Sequence, residues 1–270
     1  MFKLLASAAF AALLLSGTTV SSQAAEAAAL KVYGFSPDGR YFAFAQHGGQ
    51  GDGGHAYAEI TVIDAAQDRF APGFPVRIEP TEFEDQDGAP EEGEQAVTLA
   101  EKKAGAKLTR FSATRPGQVL ARDGAVRADD TASYSAGNDL GPKPGGRNMS
   151  FTHPRLGKME LALALKEFDW PATSRHGRHK EAISCKQEVD WQKGVGFRLT
   201  LARAQARLVL ADDKTIPASR DCVLSYGLAE VHAFDRPDGA VTLAVILDMH
   251  VRGWEGEDRR FLVVTKVIKP

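Results

Sequence analysis

The residues best equipped for chemistry gather toward the C-terminus: Glu230, His232, Asp248, His250, Glu255, Asp258 and Arg259. Carboxylates beside imidazoles are the material of general acid–base catalysis and of metal-assisted hydrolysis. Asp248 and His250 are two positions apart, so on a strand they share a face, where the carboxylate can orient the imidazole and raise its pKa. Glu230 and His232 repeat that spacing. The same residues can also be read as a solvated sheet face carrying cross-strand polar pairs. Elsewhere the signals are thinner. His176 and His179 form a His-x-x-His, but Arg175, Arg178 and Lys180 surround them and disfavour a bound cation. Asp52 and His55 lie in a glycine-rich stretch without the ligand count of a calcium loop. Ser133, Ser135 and Ser150 have no Gly-x-Ser-x-Gly elbow around them. Gly48 to Gly54 lacks the Lys-Ser/Thr and the following helix of a phosphate loop. No cofactor and no metal is expected.

The carboxylate–imidazole residues must be positioned by a hairpin. Arg236-Pro237-Asp238-Gly239 is a turn in which Pro presets φ and Gly supplies a positive one. A type I turn with a glycine bulge pairs Arg236 with Ala240. That register puts Val241, Leu243, Val245, Leu247, Met249 and Val251 opposite Ala233, Val231, Ala229 and Gly227. Tyr226, Glu230, His232, Asp248 and His250 fall on the other face. His232 then lies four positions from the partner of Asp248, about 13 Å along the strand, so the set does not converge on its own.

Other elements frame this hairpin. Ser36-Pro37-Asp38-Gly39 makes the same turn between aromatic, β-prone flanks, His47 to His55 reads as a loop, and Ala56 to Asp64 as the next strand. Glu79 to Glu94 is an acidic run. Val97, Ala100, Ala104, Leu108 and Phe111 then recur at helical spacing, which predicts an amphipathic helix near 91–110. Acids at its start and lysines near its end suit the helix dipole. Residues 122–147 read as a long loop or linker. Beyond it Met159 to Leu165, Val195 to Leu201, Leu208 to Leu210, Val223 to Phe234, Ala240 to Val251 and Phe261 to Ile268 read as antiparallel strands. Glu255-Gly256-Glu257-Asp258 reads as a hairpin turn.

Composition narrows the function. There are 33 Lys and Arg against 35 Asp and Glu, a balance that excludes a generally basic nucleic-acid binder. Lys3, the apolar run Leu4 to Leu15 and Ser22-Gln23-Ala24 make a secretory leader, with cleavage expected after Ala24. No later stretch reaches 18 apolar residues, so no transmembrane segment is expected in the mature chain. Export changes the meaning of the two cysteines. Cys185 and Cys222 are expected to form one disulfide, with a reactive free thiol as the alternative. Closing that loop is worth about 3.5–4 kcal/mol in the chain-entropy model.

FSPDGRYFAF, Phe35 to Phe44, followed by AYAEITVID, resembles the start of the family of uncharacterised secreted proteins known as domain of unknown function 2259. GWEGEDRRFLVVT, Gly253 to Thr265, resembles its C-terminal stretch. The resemblance implies an envelope location and no particular activity. FSPDGRYFAF is also similar to a repeat of TolB-type propellers, although here it occurs once. The expected fold is therefore mainly β (α+β), with antiparallel, sandwich-like sheets and one helix, and a degenerate β-propeller as the alternative. Residues 1–24 are the signal peptide and 25–270 one mature domain, with 122–147 its point of subdivision. The expected function is a non-catalytic periplasmic binding or interaction module, whose partner is an envelope protein or a small ligand. The alternative is a hydrolase using the Asp248/His250 face.

Overall fold

A computed structural model describes residues 23–25, 27–49, 56–79, 93–124, 126, 134–135, 144–172, 175–176, 183–189, 192–253 and 257–270. The leader before residue 23, the acidic run 80–92, Asp52, His55, His179 and Ser133 lie outside the described residues, as do most of 127–143 and the turn residues 254–256.

The chain stacks three antiparallel sheets and a helix. The first sheet holds β1 (Ala29–Phe35), β2 (Tyr41–Gly48), β3 (Tyr57–Asp64), β4 (Arg69–Phe70) and β5 (Val76–Ile78), with β4 and β5 both paired to β3. Helix α1 (Gly93–Phe111) lies on its outer face. Ala96, Val97, Ala100, Ala104 and Phe111 of α1 pack there on Ala43, Ala45, Ala58, Ile60 and Val62. The central sheet orders β13 (Glu257–Ile268), β12 (Val241–Arg252), β11 (Val223–Asp235) and β6 (Gln118–Arg122). The far sheet orders β10 (Ala206–Asp212), β9 (Gly194–Arg203), β8 (Gly157–Phe168) and β7 (Asn148–His153).

Two further cores glue the sheets. Phe35, Phe42, Phe44, Tyr57 and Ile63 of the first sheet meet Ala229, Ala244, Ile246, Phe261 and Val263 of the central one. The opposite face of the central sheet, with Leu228, Val231, Leu243, Val245 and Leu247, meets Met159, Leu161, Phe197 and Leu199 of the far sheet. The central strands are thus covered on both sides. Residues Val241 to Val251 of β12 are all buried, which explains the near-continuous apolar run. The propeller alternative fails: the sheets are stacked layer on layer, and no radial set of blades is present among the described residues.

The Pro-Asp-Gly turns do more than close their hairpins. They pack on each other: Thr242 Oγ1 donates to Gly39 O at 2.7 Å, and a Cβ at Gly39 would sit 2.8 Å from both Arg236 Cγ and Phe234 Cδ1. Arg155, from the β7–β8 turn, ties in the third sheet by donating to Asp235 Oδ1 at 2.9 Å and to Gly239 O. One turn from each sheet therefore meets at the same end.

The predicted disulfide joins Cys185 and Cys222, with Cα atoms 5.4 Å apart. Both cysteines are buried beside Val189 and Trp170. It anchors the short helix α2 (Cys185–Glu188) to the start of β11.

Candidate functional site

The Asp238–Gly239 turn sets the expected register at the closed end of the β11–β12 hairpin: Arg236 donates to Ala240 O, and Asp235 pairs with Val241. A second bulge then intervenes. Glu230 pairs with Ile246 but Leu228 with Leu247, so Ala229 is the extra residue. From Leu228 to Ser225 the β11 side chains switch face, until a further shift between Ser225 and Val223 restores the original one. Tyr226 therefore belongs to the core against the far sheet, not to the polar face, and Ala229 joins the opposite core. Gly227, not Leu228, lies opposite Asp248. His232 is then five positions from that partner, about 16 Å along the strand.

The polar face is not solvated. Asp248 and His250 are 0% exposed, and Glu230 and His232 4% each, with Phe42 of the first sheet against the His232 ring. Two separate pairs result. His232 Nε2 donates to Glu230 Oε2 at 2.7 Å, and exposed Arg122 from β6 reaches Glu230 Oε1 at 2.9 Å. His250 Nε2 donates to Asp248 Oδ2 at 2.8 Å, while Glu257 Oε2 stands 3.6 Å from His250 Nδ1. Burial alone depresses the His250 pKa, but Asp248 and Glu257 outweigh it and hold it above the usual histidine value. Arg259 faces His250 across the strands with its guanidinium buried, and donates to Ala28 O at 3.1 Å. Asp258 lies against Gly253, and Glu255 falls outside the described residues.

The lid over the Asp248 pair comes from a segment read in sequence only as a loop. Where β6 ends, Asp123 N donates to Ala229 O and Leu228 N to Gly146 O, which satisfies the β11 groups freed near the bulge. Gly145 N donates to Asp248 Oδ2 at 3.0 Å, and Gly146 N to Asp123 Oδ2 at 2.6 Å. The approach is too close for side chains. A Cβ at Gly145 would lie 2.3 Å from Leu228 O, and one at Gly227 would lie 2.3 Å from Gly145 N. Among the described residues Asp248 Oδ1 has no hydrogen-bond partner, and it rests against these glycines. Gly145, Gly227 and Arg122 were the residues sequence reading missed. The glycines of Gly141-Pro142-Lys143-Pro144-Gly145-Gly146 were the available signal, because glycine also marks close backbone approach.

Among the described residues, Asp248, His250, Glu230 and His232 are buried. A groove of about 360 Å³ lies between α1 and β5, bordered by Gly73, Pro75, Arg77, Lys103 and Lys107. Among the described residues, the one cluster of three metal-type ligands is Cys185, Asp221 and Cys222, whose two sulfurs are bonded to each other. His176 sits in a two-residue strand pairing with Ile183, and Ser150 is exposed on β7.

The profile of a family described as predicted secreted proteins (DUF2259) matches residues 43–266, which span β2 to β13. The chain belongs to this family. Within the DUF2259 match lie both carboxylate–imidazole pairs, the disulfide, the far sheet and most of the other two sheets, while β1 precedes it. No curated protein and no solved structure matches the chain. The similarity to TolB-type repeats carries no further than the turn itself.

Proposed function

We propose that this DUF2259 protein is exported to the periplasm, with its leader cleaved after Ala24. There the remainder acts as a single-domain, non-catalytic binding or interaction module. The observation that carries the reading is the burial of both carboxylate–imidazole pairs. Asp248 and His250 are 0% exposed, and Gly145 caps Asp248. A hydrolase would need those groups to converge on a concave opening. Instead each imidazole bonds its own carboxylate, and His232 lies about 16 Å along the strand from the partner of Asp248. Each imidazole gives its carboxylate a charge-assisted bond, which is how a buried acid is tolerated.

Imidazole reactivity tests this reading. Diethyl pyrocarbonate should leave His250 and His232 of the native protein unmodified and modify both once the chain is unfolded. Native modification of His250 at the rate of a free imidazole would restore the hydrolase. N-terminal sequencing of the periplasmic protein tests the export step, and a mature chain starting at Ala25 is the expected result.

A further inference from the structure

The sheet edges are treated unequally. The outer edge of β13 is closed by side chains and chain ends: Phe261 N donates to Gln46 Oε1 at 2.8 Å, Thr265 N to Asp68 Oδ1 at 2.7 Å, and Ala28 N to Arg259 O at 3.1 Å. The free edge of β1 is bridged by Arg115 at Phe35. β10, the last strand of the far sheet, has no described strand beyond it. Ala206, Arg207, Leu208 and Val209 are all exposed, with Leu208 at 39% and Val209 at 38%. An exposed edge of this kind is a template for another strand.

Its outward pattern can be worked out. The two-residue turn Ala204–Gln205 makes Arg203 and Ala206 a hydrogen-bonded pair, so Arg207 and Val209 turn their N–H and C=O away from β9. A bulge places both Leu210 and Ala211 opposite Leu199, and Asp213 N then donates back to Phe197 O. The outward position past the bulge is therefore Asp212. Read along the free edge, the sequence is cation, apolar, anion: Arg207, Val209, Asp212. Laid antiparallel against itself, that order matches. Val209 meets Val209, and each Arg207 meets the other copy's Asp212, while Leu208 is covered beside the partner's Leu210.

We infer that two copies of this protein associate through their β10 edges, antiparallel about Val209, so that the two far sheets become one continuous sheet across a two-fold axis. The partner is a second copy because the antiparallel edge of this chain supplies the complementary order, whereas a parallel copy in register would set Arg207 beside Arg207 and Asp212 beside Asp212. Asp212 holds Lys166 and Lys214 within the protomer. Lys214 is 79% exposed and can yield its place to the incoming Arg207. The association is isologous and closes at two, since it uses up the edge. A single strand pair buries little area, so the dimer is weak, in the micromolar range.

Sedimentation equilibrium of the mature protein from about 1 to 300 μM, a range that spans micromolar dissociation constants, should show the average mass rising toward twice that of the protomer. Over the same range, hydrogen exchange should slow at the amides of Arg207, Val209 and Asp212. Val209→Pro removes an outward donor that β9 does not use and should abolish the rise. Arg207→Glu should weaken association at least about tenfold, most strongly at low salt. Val119→Lys, on the β6 edge, should leave association unchanged. A monomer throughout the range overturns the inference. So does a dimer without slowed exchange at those three amides, or one lost in Val119→Lys and kept in Arg207→Glu.

Discussion

Replacing Gly145 with alanine should destabilise the protein by about 2–3 kcal/mol, although Gly145 is not at a positive φ and sits in what the sequence presents as a loop. The new Cβ would stand 2.3 Å from Leu228 O, a backbone atom that cannot step aside. Residues 145–146 would have to lift away from β11. Lifting breaks the bond from Gly145 N to the buried Asp248 carboxylate, worth about 1.5–3 kcal/mol, and the bond from Leu228 N to Gly146 O, worth about 1 kcal/mol. The reduced freedom of the unfolded chain returns about 0.4–1 kcal/mol. Gly227→Ala presses on the same contact from the other side, with its Cβ 2.3 Å from Gly145 N and 2.5 Å from Asp248 Oδ1. Either substitution lifts the same segment, so the double variant should cost less than the sum of the singles, by about 1–2 kcal/mol. Urea unfolding followed by tryptophan fluorescence would read each single as a midpoint about 1 M lower. Single variants within about 0.5 kcal/mol of wild type, or a strictly additive double, would refute the argument that these glycines seal the Asp248 pair.

Three further outcomes are expected. The His250 pKa is raised in the folded state, so its contribution is complete below the unfolded value near 6.5 and is lost as pH rises through the folded pKa. Unfolding free energy should therefore fall on the alkaline side with a slope of at most about 1.4 kcal/mol per pH unit from this group, and His250→Gln should flatten that limb. Asp68→Ala strands Thr265 N and Oγ1 at the β13 edge and should cost about 2 kcal/mol in chemical denaturation, whereas Asp68→Asn, which keeps an acceptor, should cost under about 1 kcal/mol. Reducing the Cys185–Cys222 bond, or replacing both residues by serine, should lower stability by up to about 4 kcal/mol, read as a fall in the denaturant midpoint.

Legibility in the sequence followed the range of the forces. Local chemistry was readable. Pro-Asp-Gly dictated both hairpins, the 3–4 spacing of Val97, Ala100, Ala104, Leu108 and Phe111 gave α1, and alternation gave β8 and β9 despite the helix-forming Glu, Leu, Ala and Lys of β8. The Ala229 bulge was not readable, because Gly227, Leu228 and Ala229 are small or apolar enough to suit either face. One unseen residue sufficed to move Tyr226 from the polar face into the core. The burial of Asp248 and His250 escaped for a different reason: two polar residues on an apolar strand look alike whether water or another sheet lies over them. The run Val241 to Leu247, with Thr242 its sole polar member, did signal a strand covered on both faces.

The closure of the β13 edge also fixes a timetable. Its capping bonds join residues 231, 215 and 197 positions apart, from Arg259 to Ala28, Phe261 to Gln46 and Thr265 to Asp68. A chain delivered N-terminus first presents the aromatic β1–β2 hairpin long before the strand that covers it has arrived. Loop closure over such spans is slow. Phe35, Phe42 and Phe44 therefore stay uncovered until Ala229, Ala244, Ile246, Phe261 and Val263 are in place, and the first sheet completes its core late.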